Sequence, residues 1–241
     1  FIMDINCDLG ESFGIWKMGN DAAIMPFITS ANIACGFHAG DFSTMLETIS
    51  LCQKYGINMG AHPSFPDLQG FGRRKLQLNP TEIYALVLYQ IGALEALIRT
   101  KGGKLHHVKP HGALYNQAAE DENVASAVVS AIKAYDSQLI LYGLSGSKLI
   151  DKAREEGLKT KSEVFADRAY TKDGFLADRS LEGAVLTDEI RVKEQITRLV
   201  QGLPIQTIDK KTILLEAETI CIHGDGSRAL EIAQWVKAVV Q

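Results

Sequence analysis

The chain has no close pair of cysteines. Cys7, Cys35, Cys52 and Cys221 are scattered through 241 residues and no C-x-x-C occurs. A disulfide framework and a thiolate zinc knuckle are thereby excluded, and reduced thiols in a cytoplasmic protein are the expectation. There is no excess of positive charge either. Against 29 Asp and Glu stand 25 Lys and Arg, a formal net charge of −4, which argues against nucleic acid or an anionic membrane as partner. No apolar run approaches the length of a membrane span, and no basic-then-apolar leader pattern opens the chain. No Pro/Gly/Ser-rich or charge-rich linker separates the halves, so one domain over residues 1–241 is expected.

Familiar catalytic motifs are also missing. "GLSGSK" at 143–148 has the wrong spacing for a phosphate-cradling loop, and neither G-x-S-x-G, H-E-x-x-H nor G-x-G-x-x-G occurs. The cysteines lack zinc-site spacing, although Cys35 and His38 lie close together. What remains is general acid–base work by His, Asp, Glu and Lys, with a metal held by Asp and His left open.

What is present is alternation. The β-prone runs "IMDINCDL", "ANIACGF", "INMGAH", "LHHVKPH", "LILYG", "TKSEVFA" and "TICIHGD" are separated by stretches of helical periodicity. Met45, Ile49 and Cys52 share one helical face, as do Ile83, Val87, Ile91, Leu94 and Ile98. Asn79-Pro80 reads as a cap followed by a first-turn proline. Gly56, Gly102, Gly157 and Gly202 fall just past helical runs, where a left-handed residue is wanted. Seven strand–helix repeats without an evident break predict an α/β fold: a single-domain, seven-stranded (β/α) barrel, with an open doubly wound sheet as the alternative. Residues 204–225 read as a small β-hairpin inserted before the last barrel strand.

In such folds chemistry collects at the carboxyl ends of the strands. The first run ends with Asp8 and Glu11, the second with His38 and Asp41, the third with His62. The fourth ends with Lys109 and His111, the sixth with Glu163, Asp167 and Arg168, the last with His223 and Asp225. A lone His after a strand is ordinarily a loop or capping residue. Four strands delivering His to one rim, together with carboxylates, describe a polar pocket. His106 and His107 sit within the fourth run, so one points inward and one outward. The long segments 63–80 and 165–180 bring Arg73, Arg74, Arg168 and Arg179, any of which could clamp a carboxylate.

"DINCDLGESFG", "SANIACGFHAGD", "GAHPSFPDLQGFGRR", "YQIGAL", "VKPHGALYN", "EVFADRAY" and "CIHGD" together resemble the LamB/YcsF family, in unbroken order from Met3 to the C-terminus. The resemblance implies a barrel of the glycoside hydrolase/deacetylase type. It implies ATP-dependent 5-oxoprolinase activity, a hydrolase opening the 5-oxo-L-proline lactam to L-glutamate with release of ADP and phosphate. ATP, with Mg2+, would be a co-substrate and no resident metal site is implied. The partners would be 5-oxoprolinase subunits B and C, with a homo-oligomer also open. On this reading the catalytic candidates are Asp8, His38, His62, Lys109, His111 and Glu163. Glu11, Asp41, Arg73, Arg168 and His223 are the substrate-binding candidates. Arg73, Arg168 or Lys109 would take the substrate carboxylate. Asp8 or Glu163, paired with His38 or His62, would be the general base, and Lys109 would face the developing oxyanion. Two other readings stand beside it: a stand-alone metal-dependent deacetylase or amidohydrolase using Asp8 and two histidines, and a non-catalytic lactam-binding subunit.

Overall fold

The first strand shows how the chain is organised. Asp4, Asn6 and Asp8 alternate with Ile5, Cys7 and Leu9, and all six are buried. A strand sends successive side chains to opposite faces, so β1 (Asp4–Leu9) has a polar face and an apolar face, both covered. The computed structural model, which describes residues 3–224, 226 and 228–240, places this strand in a closed parallel barrel. β2 (Ser30–Ala34), β3 (Asn58–His62), β4 (Leu105–Val108), β5 (Ile140–Leu144) and β6 (Lys159–Phe165) follow in order. A minimal antiparallel hairpin, β7 (Ile205–Gln206) with β8 (Thr212–Ile213), comes next, and β9 (Thr219–His223) closes the barrel between β6 and β1. The seven predicted strands and the inserted hairpin are thus in place, the hairpin only two residues a side. Asp225 lies outside the described residues.

The helices cover the barrel. α1 (Asp21–Ile24) leads into a 3-10 turn; α2 (Phe42–Tyr55), α3 (Pro80–Thr100), α4 (Gly112–Glu120), α5 (Glu122–Tyr135), α6 (Lys148–Glu155), α7 (Glu189–Val200) and α8 (Ala229–Val240) follow. The apolar core lies between strands and helices, where Ile5, Leu9 and Ile33 join Ile49, Val87, Ile91 and Val128 in one cluster. Asn79 and Glu82 form a reciprocal capping box with Pro80 inside it. Gly56, Gly102, Gly157 and Gly202 have φ of 68, 72, 78 and 65°, as the helix ends required.

One expectation is corrected. α3, 21 residues long and holding an 18-residue window with a mean hydropathy of 1.3, is long and apolar enough by composition to cross a bilayer. Its stripe of Ile83, Val87, Ile91, Leu94 and Ile98 is buried in the core, as for a helix packed on a barrel.

Candidate active site

The polar face of β1 points into the barrel, because Asn6 and Asp8 reach Lys109 Nζ, just past β4 and not on a neighbouring strand, at 3.2 and 2.9 Å. Thr219 donates to Asp4 Oδ2 at 2.6 Å and accepts from Asn6 Nδ2 at 2.7 Å. Asn6 Oδ1 accepts from Asn32 Nδ2 at 2.7 Å, and the same amide donates to Asp8 Oδ1 at 2.8 Å. His107, on β4, donates to Asn32 Oδ1 at 2.8 Å and stacks on Tyr142. His107 is therefore the inward residue of the His106–His107 pair. A Cβ at Gly60 would collide with its ring, so the glycine permits that close approach.

At the top of this column is Lys109. Backbone pairing outlasts the strands there: Lys109 N donates to Ala61 O at 2.9 Å and His111 N to Pro63 O at 2.8 Å. This carries both residues to the carboxyl rim. Lys109 Nζ lies 2.9 Å from Asp8 Oδ1, 2.8 Å from Glu163 Oε1 and 3.0 Å from Cys221 Sγ. Burial disfavours the ammonium, but Asp8, Cys221 and Glu163 more than offset it, so Lys109 stays charged well above its ordinary range. For Asp8 burial is likewise outweighed, by His62 and Lys109, and its carboxyl is held well below the usual range. Glu163 is fully buried and takes a 2.6 Å hydrogen bond from the Tyr115 hydroxyl.

Three imidazoles gather beside this group. His62 Nε2 is 3.4 Å from Asp8 Oδ1 and 3.0 Å from His111 Nδ1. His38 stacks on His111 with ring centroids 3.7 Å apart, and its Nε2 lies 3.2 Å from Glu11 Oε1. Burial, then the neighbouring rings, push His38 and His111 well below the ordinary histidine value. Phe71 has φ 54°, uncommon for a bulky residue, and its carbonyl accepts from His111 Nε2 at 2.9 Å.

A cleft of about 370 Å³ opens above, lined by Asp8, Lys109, His62 and His111. Arg73, Lys75, Arg168, Arg179 and His223 complete the charged lining. Arg168 is pinned by its own loop, donating to Ala177 O at 2.6 Å and Ala184 O at 3.3 Å, and burial lowers its pKa to about 10. His223 Nδ1 donates to Asp167 Oδ1 at 2.9 Å, leaving Nε2 as the acceptor toward Arg179, 3.3 Å away. Of the two adjacent arginines, Arg74 pairs with Asp67 and staples the 63–80 loop, whereas Arg73 lies over the Phe71 ring and lines the cleft.

Not every candidate meets at the cleft. Asp41 is placed elsewhere: its carboxylate accepts from Ser43 N, Thr44 N and Gly14 N at 2.7–2.9 Å, which makes it the N-cap of α2 and a clasp on the preceding loop. Glu11 and His38 sit behind His111, and Glu163 behind Lys109 and Tyr115, all outside the lining. Cys35 Sγ bonds to the Ile33 carbonyl and stays out of the histidine group.

The sequence and fold have counterparts among known proteins. A family model, LamB/YcsF, matches residues 3–241. The chain belongs to the LamB/YcsF family. It is 51% identical to the A subunit of 5-oxoprolinase from Bordetella pertussis over 99% of this chain and 95% of that one. It is 48% identical to the corresponding 5-oxoprolinase protein of Shouchella clausii, covering 99% and 94%. The crystal structure of the lactam utilization protein from Thermus thermophilus superposes with a TM-score of 0.92 at 44% identity, covering 99% of this chain and 96% of that one.

Within this LamB/YcsF chain the residue-by-residue reading overlooked Tyr115 and the barrel amides Asn6 and Asn32, and it left the pairing of Asp167 unassigned. Tyr115 lies in the first turn of α4, four residues after His111, and so had to stand at the same rim. The alternation of Asp4, Asn6 and Asp8 was a legible sign of a polar barrel interior.

Proposed function

We propose that this chain is the lactam-handling subunit of an ATP-dependent 5-oxoprolinase, acting in the cytoplasm with partner subunits B and C to open 5-oxo-L-proline to L-glutamate. One observation carries the reading: a small cleft floored by Asp8 and Lys109, with Glu163 buried behind the ammonium, is rimmed by Arg73, Lys75, Arg168 and Arg179. Such a rim suits an anionic ligand, and the volume lies at the lower end of small-molecule sites. The family and the names of its relatives support the same substrate.

A five-membered lactam is a resonance-stabilised amide, so its opening is coupled to ATP. Phosphorylation of the lactam oxygen makes the ring carbon electrophilic; water then adds, the C–N bond breaks, and glutamate, ADP and phosphate leave. In this chain the arginines take the substrate carboxylate. Lys109, held charged by two carboxylates, faces the oxygen on which negative charge develops. His223 is the general base, oriented by Asp167 as catalytic imidazoles commonly are. A substrate carboxylate drawing Arg179 toward itself uncovers the Nε2 lone pair. Glu163 is a positioning residue, since it reaches the cleft only through Lys109 and Tyr115, whereas Tyr115 also lines the cleft.

The test is glutamate release from 5-oxoproline and ATP by the chain alone and with subunits B and C. Turnover in the mixture, reduced by about two to four orders of magnitude in His223→Gln, is the expected result. ATP-independent glutamate formation by the chain alone, or none in a mixture of verified partners, would overturn the reading.

A further inference from the structure

The contact between His62 and His111 is chemically unusual. His62 Nδ1 lies 2.7 Å from the Lys109 carbonyl, and a carbonyl only accepts, so the proton of neutral His62 is on Nδ1. His111 Nε2 faces the Phe71 carbonyl in the same way, so its proton is on Nε2. The two nitrogens left over, His62 Nε2 and His111 Nδ1, then turn lone pairs toward each other at 3.0 Å. Two acceptors at that distance repel unless a cation lies between or beside them. Glu11 supplies a carboxylate to the same place, and the donor atoms of Glu11, His38, His62 and His111 all lie within 4.8 Å of one another. His38 Nδ1 is buried with no hydrogen-bond partner among the described residues.

We propose that Glu11, His38, His62 and His111 form a binding site for one divalent transition-metal ion of the zinc class. Imidazole with carboxylate is the donor set that suits zinc, cobalt and iron rather than calcium. With metal–nitrogen bonds of about 2.1 Å, two ligands of a tetrahedral ion stand about 3.4 Å apart, so the facing nitrogens, 3.0 Å apart, need move only a few tenths of an ångström to seat an ion beside them. Histidine ligands that donate their second ring N–H to a backbone carbonyl are the usual arrangement around such ions, and His62 and His111 both do so. Asp8, 3.4 Å from His62 Nε2, adds negative charge beside the site. This inference does not rest on the lactam reading.

The experiment uses the chain stripped with a chelator, dialysed to equilibrium with Zn2+ or Co2+ and assayed for bound metal. About one equivalent is expected, with affinity lowered at least about tenfold in His62→Gln and in His111→Gln. His223→Gln, which alters a side chain outside the proposed ligand set, should bind as the parent does. In the unaltered chain, Zn2+ should shift the 15N resonances of His62 Nε2 and His111 Nδ1, a readout that needs no variant to fold. Binding below about a tenth of an equivalent, unshifted resonances, or full binding in a His62→Gln/His111→Gln double variant would each overturn the assignment.

Discussion

Replacing Lys109 by Met tests the charge group at its centre. The ammonium is 2% exposed and lies within 3 Å of carboxylate oxygens on both Asp8 and Glu163. At an effective dielectric near 20, each such contact is worth about 6 kcal/mol before desolvation. Burying the ion offsets much of this, and removing one member of a buried ion pair typically costs about 3–5 kcal/mol because the remaining charge is uncompensated. Lys109→Met should therefore lower stability by about that amount, a Tm drop of roughly 6–20 °C for a chain of this size.

The cost should belong to the orphaned carboxylates, and a double-variant cycle isolates it. Adding Glu163→Gln to Lys109→Met keeps shape and removes one of the two unpaired charges. Urea denaturation of the four proteins should give a double variant less destabilised than the sum of its singles by at least about 2 kcal/mol. Additivity within about 0.5 kcal/mol would refute the reasoning and make Lys109 a packed side chain whose charge is incidental.

Gly60→Ala drives a Cβ into the His107 ring and should cost at least about 1–3 kcal/mol, partly recovered on adding His107→Ser; equal stability of both variants would contradict the clash. Tyr115→Phe removes the 2.6 Å hydrogen bond to buried Glu163 and should cost about 1–3 kcal/mol, measured by urea denaturation with circular dichroism unchanged at zero denaturant. Asp4 sets an acid limit. Burial raises its pKa, but Lys161 and the Thr219, Ser30 and Thr29 hydroxyls bring it below 3.8, so its stabilisation is complete above the unfolded value and is lost as pH falls through the lower folded value. Thr219→Val should shift the acid-unfolding midpoint to higher pH; an unchanged midpoint would show that Asp4 does not govern it.

The barrel was legible because its cues are local: apolar periods, capping residues and the glycines that end helices all lie within a few residues of one another. The rim was legible for the same reason, since strand ends can be found without knowing how strands pair. What a polar residue does at the rim depends on partners distant in sequence. Asp41 had a local sign of its own, standing one residue before α2 as a cap does, and that sign outranks its proximity to His38. No local sign separated Arg73 from Arg74, because Asp67 decides the matter through the curl of the 63–80 loop. Nor did anything in the sequence show that Tyr115 and Lys109 would close over Glu163, or that two backbone carbonyls would turn His62 and His111 toward each other.

The interior of this barrel departs from the usual arrangement, in which layers of branched aliphatic side chains fill the centre. Here the centre holds Asp4, Asn6, Ser30, Asn32, His107 and Thr219, all buried. A satisfied hydrogen bond adds little net stability, whereas an unsatisfied buried group costs a good deal. The column therefore contributes less to holding the chain folded than the apolar layer between strands and helices does. Its effect is to fix geometry. Asn32 donates both to Asn6 and to Asp8, and Asn6 Oδ1 accepts from Lys109 Nζ at 3.2 Å, so the floor of the cleft is tied through two amides and the Thr219 hydroxyl to Asp4 at the opposite end. An aliphatic interior could support the same backbone but could not set the orientation of Asp8 or Lys109. Polarity inside the barrel is thus what the chemistry at its mouth requires.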